Sequence, residues 1–204
     1  MAEVIVGVDI GTASCKAVAF TPEGRAVASG QRSYPLHSPQ PGWAEQDADE
    51  VVASARAATY EAVVAASAEG HHLTGLSFSS AMHSLLGLDA AGDPITPVLT
   101  WADQRATDQA RRLRAGPRGL ALHHRTGTPI HPMAPVVKLR WFVEEQPDLA
   151  RRVAHWVGIK DHLLSRLTGE LVVDHGIASA TGMFNLQDGE WDAEALAYAG
   201  IDEG

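Results

Sequence analysis

A short segment near the start of the chain combines a carboxylate, a glycine, hydroxyl groups and a lysine. It reads Asp9-Ile10-Gly11-Thr12-Ala13-Ser14-Cys15-Lys16, and an apolar run lies on each side of it. Backbone N–H groups in such a turn can approach phosphate oxygens closely, because glycine has no side chain and adopts unusual dihedral angles. Asp9 would hold Mg²⁺ through water, since Mg²⁺ releases its water ligands reluctantly, and Lys16 would add a positive charge. The segment therefore predicts a phosphate site.

The same segment also fits an ordinary β-hairpin turn, in which Asp and Gly are common for conformational reasons alone. Asp-x-Gly-Thr is too short a pattern to separate these two interpretations. The sequence contains neither a Gly-x₄-Gly-Lys-Ser/Thr loop nor a Gly-x-Gly-x-x-Gly fingerprint. It also lacks a His-Glu-x-x-His motif, a Cys/His cluster and a Gly-x-Ser-x-Gly nucleophile motif, which argues against a transition-metal site and a serine hydrolase.

Five further segments follow in order. They are residues 41–47 (PGWAEQD), 79–83 (SSAMH), 100–105 (TWADQR), 126–133 (TGTPIHPM) and 177–182 (IASATG). The opening segment resembles the first phosphate motif of the sugar kinase, actin and Hsp70 superfamily. Together with the other five, it is similar to the FGGY carbohydrate kinases, from about Val4 to Ile201. Five ordered motifs are far more specific than one Asp-x-Gly-Thr.

The resemblance implies an α/β, ribonuclease H-like fold of the actin-like ATPase superfamily. Its mixed sheet would open with an antiparallel β-meander and be flanked by helices. ATP and Mg²⁺ are the implied cofactors, with Asp9 matching the family's Mg²⁺ and phosphate-side aspartate. The residues that match the nucleotide phosphate loop are Gly11, Thr12, Ala13, Ser14 and Lys16. Ala13 stands where glycerol kinases have threonine, so a side-chain hydroxyl contact is lost while the backbone donor is kept.

The resemblance also implies a sugar site. The predicted sugar-binding residues are Met82, His83, Trp101, Asp103, Arg105 and His131. Arg105 or His131 would bind a substrate carboxylate. The Met-His-Ser and Pro-Ile-His-Pro-Met versions of the motifs look most like gluconate kinases, with xylulose kinases next. The implied reaction is ATP-dependent phosphorylation of gluconate to 6-phosphogluconate, and phosphorylation of xylulose or another pentulose is the alternative. Met133 stands where glycerol kinases place a tyrosine, which disfavours glycerol.

Each sugar-side residue also has a purely structural interpretation. His83 could be a satisfied core or loop histidine, and Trp101 a core aromatic residue that finds a polar partner. Arg105 could pair with Asp108 on the face of a helix, and His131 could cap a loop. The shared order of the motifs favours function for His83, Trp101, Asp103 and Arg105, and favours it only weakly for His131.

Two parts of a complete kinase are not found in these residues. Phosphoryl transfer needs positioning, electrostatic stabilisation and a base for the attacking hydroxyl. Relatives place that base in a Gly-Gly-x-Asp-like segment, and no such segment occurs before Gly204. We therefore expect residues 1–204 to be the N-terminal domain of a longer, homodimeric kinase, without its second, adenosine-binding domain and inactive alone. The rival from another class is a ribonuclease H-like module that binds a ligand or partner without catalysis.

Composition places the chain among soluble globular domains. It has 204 residues, 45% of them hydrophobic and 20% charged. The net charge of -9 argues against a nucleic-acid or anionic-membrane partner. A single cysteine cannot form an internal disulfide, and no apolar stretch reaches the ~18–20 residues of a membrane span. We expect a cytoplasmic location. Cys15 itself is interpreted as a small apolar core residue, with a reactive thiol as the alternative.

Periodicity and turn signals predict the elements that must position these residues. Strands are expected at residues 4–8, 16–20, 26–32, 73–79 and 85–89. Helices are expected at residues 51–68, 103–114, 136–145, 159–167 and 192–199. Asp47 is the predicted N-cap of the first helix, Pro135 begins the third, and Asp174 with His175 could form another N-cap pair. The prediction is one α/β domain.

Overall fold

The computed structural model describes residues 2–202. Contacts within this part of the chain divide it into two compact units. The first comprises the chain up to Leu36 together with Gln46–Ala81, and the second comprises His37–Glu45 together with the chain from Met82 onward. The sequence predicts one α/β domain, and no pattern in it indicated a division into these two units.

In chain order the strands are β1 (Glu3–Ile10), β2 (Ser14–Phe20), β3 (Ala26–Ser33), β4 (Glu45–Gln46), β5 (His72–Ser80), β6 (Leu86–Leu88), β7 (Val98–Leu99), β8 (His155–Val157), β9 (Phe184–Asn185) and β10 (Glu190–Trp191). The helices are α1 (Ala48–Ala68), α2 (Thr107–Ala115), α3 (Pro117–Thr126), α4 (Pro135–Glu145), α5 (Pro147–Ala150), α6 (Ile159–Thr168), α7 (His175–Ser179) and α8 (Ala193–Ala199). All five predicted strands are present, as β1, β2, β3, β5 and β6.

The first unit is built on a four-stranded mixed sheet with the order β3-β2-β1-β5. β1 pairs antiparallel with β2, and β2 pairs antiparallel with β3, which confirms the predicted meander. β5 pairs parallel with β1. Antiparallel neighbours can be joined by short turns, whereas a parallel neighbour needs a longer crossover, and α1 lies in that crossover.

One face of this sheet packs against α1. The buried residues of β1 alternate along the strand, at Val4, Val6, Val8 and Ile10, as expected for a strand with one covered face. The approach of α1 to β3 is close enough to require glycine, because a Cβ at Gly30 would lie 2.3 Å from the carbonyl oxygen of Ala58. Small residues on both elements therefore bring the helix onto the sheet.

The second unit has a core centred on α4. Its buried residues Val136, Val137, Leu139 and Phe142 pack with apolar side chains of α2, α3 and α8. Two small antiparallel pairs, β6 with β8 and β9 with β10, lie in the same unit. None of the helices within residues 2–202 is long and apolar enough to cross a membrane.

Two of the longer helices differ from the sequence predictions, and the short helices α5 and α7 were not predicted as helices. α2 begins at Thr107 and not at Asp103, because the Asp103 carboxylate accepts a hydrogen bond from the backbone N–H of Arg105 and holds a turn there. α3 was not predicted. Its boundaries carry ordinary local signals, with Pro117 in the first turn and Gly127 in the left-handed conformation (φ 69°) at the end.

The other predicted helices are confirmed, as are their caps. Asp47 accepts a hydrogen bond from the backbone N–H of Glu50 at 2.9 Å. Asp174 also acts as an N-cap, accepting from the N–H of Ile177 at 3.1 Å. Short-range capping chemistry was therefore correctly predicted from the sequence.

Candidate functional site

Three polar side chains lie side by side across the sheet of the first unit. Asp9 is the register partner of Lys16 on β2 and of Ser79 on β5. The Ser79 hydroxyl donates to Asp9 Oδ1 at 2.7 Å. All three residues line a pocket of about 330 Å³. Since partners at the same register project to the same face of a sheet, a carboxylate and an ammonium group share one opening.

The carbonyl groups of the turn after β1 accept hydrogen bonds from Tyr34 and Gln46. The Tyr34 hydroxyl donates to the carbonyl oxygen of Gly11 at 2.6 Å, and the Tyr34 backbone N–H donates to that of Ala13 at 3.1 Å. Gln46 Nε2 donates to the carbonyl oxygen of Thr12 at 2.7 Å. In a trans peptide the N–H points away from the preceding carbonyl. These bonds therefore direct the N–H groups of Thr12 and Ala13 away from Tyr34 and Gln46.

The residues around Asp9 suit one kind of metal ion. Within residues 2–202, no group of three or more His, Cys, Asp or Glu side chains is placed to hold a metal. A single carboxylate in an open pocket fits an ion that keeps several waters and takes further ligands from a substrate phosphate, and Mg²⁺ binds in this way. Asp9 would therefore hold Mg²⁺ together with a bound nucleotide.

Cys15 lies in the same segment but is not a reactive thiol. It is fully buried, and burial together with the charge of Asp9 raises its pKa to about 11. The thiolate is the nucleophilic form of cysteine, so Cys15 stays protonated and inert at neutral pH. The interpretation as a small core residue is confirmed.

The second unit holds all the predicted sugar-side residues. Met82 is 44% exposed, and His83, which follows it, has a left-handed backbone with φ 64°. The His83 ring donates from Nδ1 to the carbonyl oxygen of Ala180 at 2.8 Å. Burial lowers the pKa of His83, and the nearby charges of Lys138 and His131 lower it further. His83 is therefore a neutral, oriented imidazole at pH 7.

Asp103 and Arg105 form a buried network with the connector before α1. Asp103 is fully buried, and the side chain of Arg105 is 3% exposed. Asp103 Oδ2 accepts from the backbone N–H of Ala44 at 2.8 Å, and Arg105 Nη2 donates to Glu45 Oε1 at 2.5 Å. The alternative partner, Asp108, pairs instead with Arg111, so that interpretation of Arg105 is wrong. The substrate contacts predicted for Asp103 and Arg105 stay a prediction.

Two tryptophans complete this network. The guanidinium carbon of Arg105 lies 3.7 Å from the ring centroid of Trp43, and the Trp43 and Trp141 rings meet edge-on at 5.7 Å. A guanidinium on an aromatic face gains cation–π attraction, which is stronger when the groups are desolvated. The network therefore holds the segment of Trp101, which lies between Thr100 and Asp103, in one place.

Trp101 and His131 reach the surface of the second unit. Trp101 is 49% exposed, so it is not a buried core aromatic residue. His131 is exposed, and its Nδ1 accepts a hydrogen bond from the backbone N–H of Met133 at 3.2 Å. His131 therefore caps its loop, which was the structural alternative considered for it. The other ring nitrogen, Nε2, is left available to a ligand.

Sequence reasoning missed three residues that organise these sites. Tyr34 and Gln46 hold the turn after β1, and Lys138 lies between the segments of His83 and Thr100. Gln46 belongs to the PGWAEQD segment, but that motif did not indicate its hydrogen bond to the carbonyl oxygen of Thr12. Lys138 had one usable signal, since it is a lysine inside the otherwise apolar run PVVKL at the start of α4.

Comparison with known proteins gives one consistent result. The sequence model of the FGGY family of carbohydrate kinases, N-terminal domain, matches residues 4–204. The chain is 40% identical to the gluconokinase of Bacillus subtilis (strain 168), over 98% of this chain and 39% of the relative. The crystal structure of gluconate kinase from Lactobacillus acidophilus superposes with a TM-score of 0.92 at 33% identity, over 99% of this chain and 40% of that one.

A xylulose kinase is equally similar in structure. The enzyme from Rhodospirillum rubrum superposes with a TM-score of 0.93 at 31% identity, over 98% of this chain and 41% of that one. The chain therefore spans about two-fifths of the length of these relatives.

Proposed function

Because the chain belongs to the FGGY family of carbohydrate kinases, we propose that the full-length protein transfers a phosphoryl group from ATP to a hydroxyl of gluconate, giving 6-phosphogluconate. Its fold is the α/β, ribonuclease H-like fold of the actin-like ATPase superfamily, shared with the gluconate and xylulose kinases. In this proposal residues 1–204 are the N-terminal domain of that kinase, and the catalytic base and the adenosine site lie in the rest of the protein.

The observation that carries the proposal is the alignment of Asp9 with Lys16 and Ser79 across three strands. Phosphoryl transfer requires little covalent chemistry from the protein and depends on positioning and charge stabilisation. Lys16 supplies a positive charge, and the turn supplies the backbone N–H groups of Thr12 and Ala13, since that of Gly11 already donates to the carbonyl oxygen of Ser14. Asp9, fixed by the Ser79 hydroxyl at 2.7 Å, would hold Mg²⁺. Bound Mg²⁺ would neutralise part of the charge on the phosphates.

The sugar side of the proposal rests on His83, Trp101 and Met82. A neutral imidazole exchanges hydrogen bonds with hydroxyl groups, and the exposed faces of Trp101 and Met82 suit the C–H surface of a polyol. His131, with one ring nitrogen capped by its own loop, is the proposed partner of the sugar-acid carboxylate. In this proposal Asp103 and Arg105 contribute to the site by holding the segment that carries Trp101.

Xylulose, or another pentulose, is the second candidate substrate. The similarity to the Rhodospirillum rubrum xylulose kinase favours it, because its TM-score and identity are nearly those of the gluconate kinase. The two substrates differ in chain length and in the carboxylate, so a comparison of both with the same protein separates them. We also propose that the full-length protein depends on Mg²⁺, forms a homodimer and is located in the cytoplasm.

The test is ADP release by the full-length protein with gluconate, xylulose or glycerol as acceptor. We expect the largest kcat/KM for gluconate. Asp9→Asn should lower it by at least about 100-fold, the size of effect typical for loss of a charge-stabilising group. Asp49→Asn is the matched control, since Asp49 is an exposed carboxylate on the first turn of α1 in the same unit.

Three outcomes count against the proposal. Full activity of Asp9→Asn would remove the role assigned to Asp9. A preference for xylulose would move the substrate to the second candidate. No ADP release with any of the three acceptors, in a protein that still binds one of them by calorimetry, would favour the non-catalytic module.

A further inference from the structure

Lys138 is a lysine whose side chain is completely enclosed. It lies on α4 and has no exposed surface. Its Nζ donates to the carbonyl oxygens of His83 at 2.7 Å and Thr100 at 2.8 Å, and reaches that of Leu99 at 3.5 Å. Burying an ammonium group is costly unless its protons are hydrogen-bonded. The hydrogen bonds to these carbonyl groups therefore offset the cost of burying Lys138.

The surroundings of Lys138 do not neutralise it by a direct ion pair. Burial lowers its pKa to about 7, while the charge of Asp103 raises it and that of Arg105 lowers it. The Asp103 carboxylate is already occupied by Arg105 and by the backbone N–H of Ala44. Lys138 therefore acts on its neighbours mainly as a hydrogen-bond donor to backbone carbonyls.

The carbonyl groups that Lys138 contacts belong to the two sugar-side segments. One comes from His83 itself, and the other comes from Thr100, directly before Trp101. The backbone bridge between Leu85 and Leu99 already pairs these segments beyond His83 and before Thr100. The Lys138 ammonium group adds a second link, at the two residues that adjoin the bridge on the sugar side.

The backbone of His83 needs such a restraint. A left-handed conformation is uncommon for a residue other than glycine, and it persists only where the surroundings determine it. His83 is the only non-glycine residue with positive φ within residues 2–202. Its carbonyl oxygen is held by Lys138 and its ring by Ala180, so the direction of the imidazole depends on both bonds.

We propose that Lys138 is a positioning residue for the sugar, one that sets the distance between His83 and Trp101 by holding the carbonyl groups of His83 and Thr100 on one ammonium group. The proposal rests on the proposed function, since it assigns Lys138 to the proposed sugar-binding residues of the second unit. Lys138 does not contact the sugar in this proposal. Its effect should appear in the binding of sugar and not in the binding of ATP.

Substitutions at Lys138 separate the effect of its N–H donors from the effect of its side-chain volume. Lys138→Met keeps most of the side-chain length but has no N–H groups, so the carbonyl groups of His83 and Thr100 lose their donor. Lys138→Gln keeps two N–H donors on a shorter, neutral side chain. Gln109→Met is the matched control, since Gln109 is another buried polar residue of the same unit and its side chain donates to Glu144.

The experiment measures KM and kcat of the full-length protein for sugar and for ATP. We expect Lys138→Met to raise the KM for gluconate at least about tenfold while the KM for ATP changes less than about twofold. Lys138→Gln should recover part of the loss, and Gln109→Met should leave both constants close to wild type. If wild type prefers xylulose, the same comparison is made with xylulose.

The result that overturns the proposal is a folded Lys138→Met protein with an unchanged KM for sugar. An equal rise in the KM for sugar and for ATP would also overturn it, because that pattern indicates a general structural defect. Inactivity of the wild type with every sugar would instead refute the proposed function, so the two failures are distinguishable.

A measurement on the wild type covers the case in which Lys138→Met does not fold. Protein labelled with ¹⁵N-lysine is observed by NMR at pH 6, where the Lys138 ammonium group is protonated. We expect the Lys138 Nζ resonance to shift on addition of gluconate, since the carbonyl groups it holds belong to the segments that carry the proposed sugar-binding residues. No shift at saturating gluconate would refute the positioning role.

Discussion

The guanidinium of Arg105 donates to both carboxylate oxygens of Asp103, from Nε to Oδ1 at 2.9 Å and from Nη2 to Oδ2 at 2.8 Å. The pair is buried, and each partner has a further contact, Asp103 with Ala44 and Arg105 with Glu45. Removing one partner of a buried pair leaves an uncompensated charge, which costs more than the intact pair contributes. The stability of the second unit should therefore depend strongly on this pair.

We expect Arg105→Ala to lower the free energy of unfolding by about 3–5 kcal/mol, the usual cost of breaking a buried ion pair. Arg111→Ala is the matched control, because the Arg111–Asp108 pair is largely exposed and such pairs contribute about 0–1 kcal/mol. Chemical denaturation measures both variants. If Arg105→Ala lowers the free energy of unfolding as little as Arg111→Ala does, the network around Arg105 does not hold the second unit together.

The turn after β1 offers a second test through Tyr34. Tyr34→Phe removes the hydroxyl that donates to the carbonyl oxygen of Gly11, and we expect a loss of about 1 kcal/mol in stability from that bond. In the full-length protein the KM for ATP should rise while the KM for sugar stays within about twofold. Tyr60→Phe, at an exposed tyrosine of α1 in the same unit, is expected to change neither. An unchanged KM for ATP in Tyr34→Phe would contradict the role given to this bond.

The buried carboxyl group of Asp161 should make stability depend on pH. Burial raises its pKa to about 6, although Asp161 accepts a hydrogen bond from the backbone N–H of Gly158. Between its ordinary value of 3.8 and 6, the folded state binds more protons here than the unfolded state. The contribution of Asp161 to stability is therefore highest at low pH and falls as pH rises through that window.

Asp161→Asn cannot ionise, so we expect its stability relative to wild type to improve between pH 4.5 and pH 7.5, by on the order of 1–3 kcal/mol. Asp148→Asn, at an exposed carboxylate, should show no such trend. Urea denaturation at several pH values measures both differences. A difference between Asp161→Asn and wild type that does not change with pH would exclude a raised pKa.

Packing of α1 on the sheet gives a prediction that does not depend on function. In Gly30→Ala the new Cβ would lie 2.3 Å from the carbonyl oxygen of Ala58, so the backbone of α1 or β3 must shift. We expect a loss of about 1–3 kcal/mol, as for other overpacked cores. Gly75→Ala, on β5, meets its nearest atom only at 4.0 Å and should be tolerated. Thermal unfolding that ranks the two variants in the opposite order would be evidence against this packing.

Local signals along the chain predicted much of the fold correctly. The apolar runs at residues 4–8 and 16–20 predicted β1 and β2, and the Asp47 carboxylate capped α1 as expected. Pro135 marked the start of α4. These features depend on residues within a few positions of one another, because strand period, capping and turn conformation are short-range properties.

The errors occurred where a distant partner competes with local preference. Asp103 was predicted to open a helix, but its carboxylate also binds the backbone of Ala44, 59 positions away, and the segment forms a turn instead. α3 was missed because its short amphipathic pattern lies between a glycine and a loop, where periodicity is weak. The turn at Asp103 follows from a tertiary contact that overrides propensity, whereas the signals at the ends of α3 were local.

The sequence by itself determined which residues are candidates for the chemistry of this protein: Asp9 and Lys16 in one motif, and Met82, His83 and Trp101 in others. Residue types and motif order are sufficient for that. Only the tertiary structure decided how these residues are held. Lys138 reaches the carbonyl of His83 from 55 positions away, and Gln46 reaches that of Thr12 from 34. Their acceptors are backbone carbonyls, which every residue possesses, so no residue type in the sequence marks them.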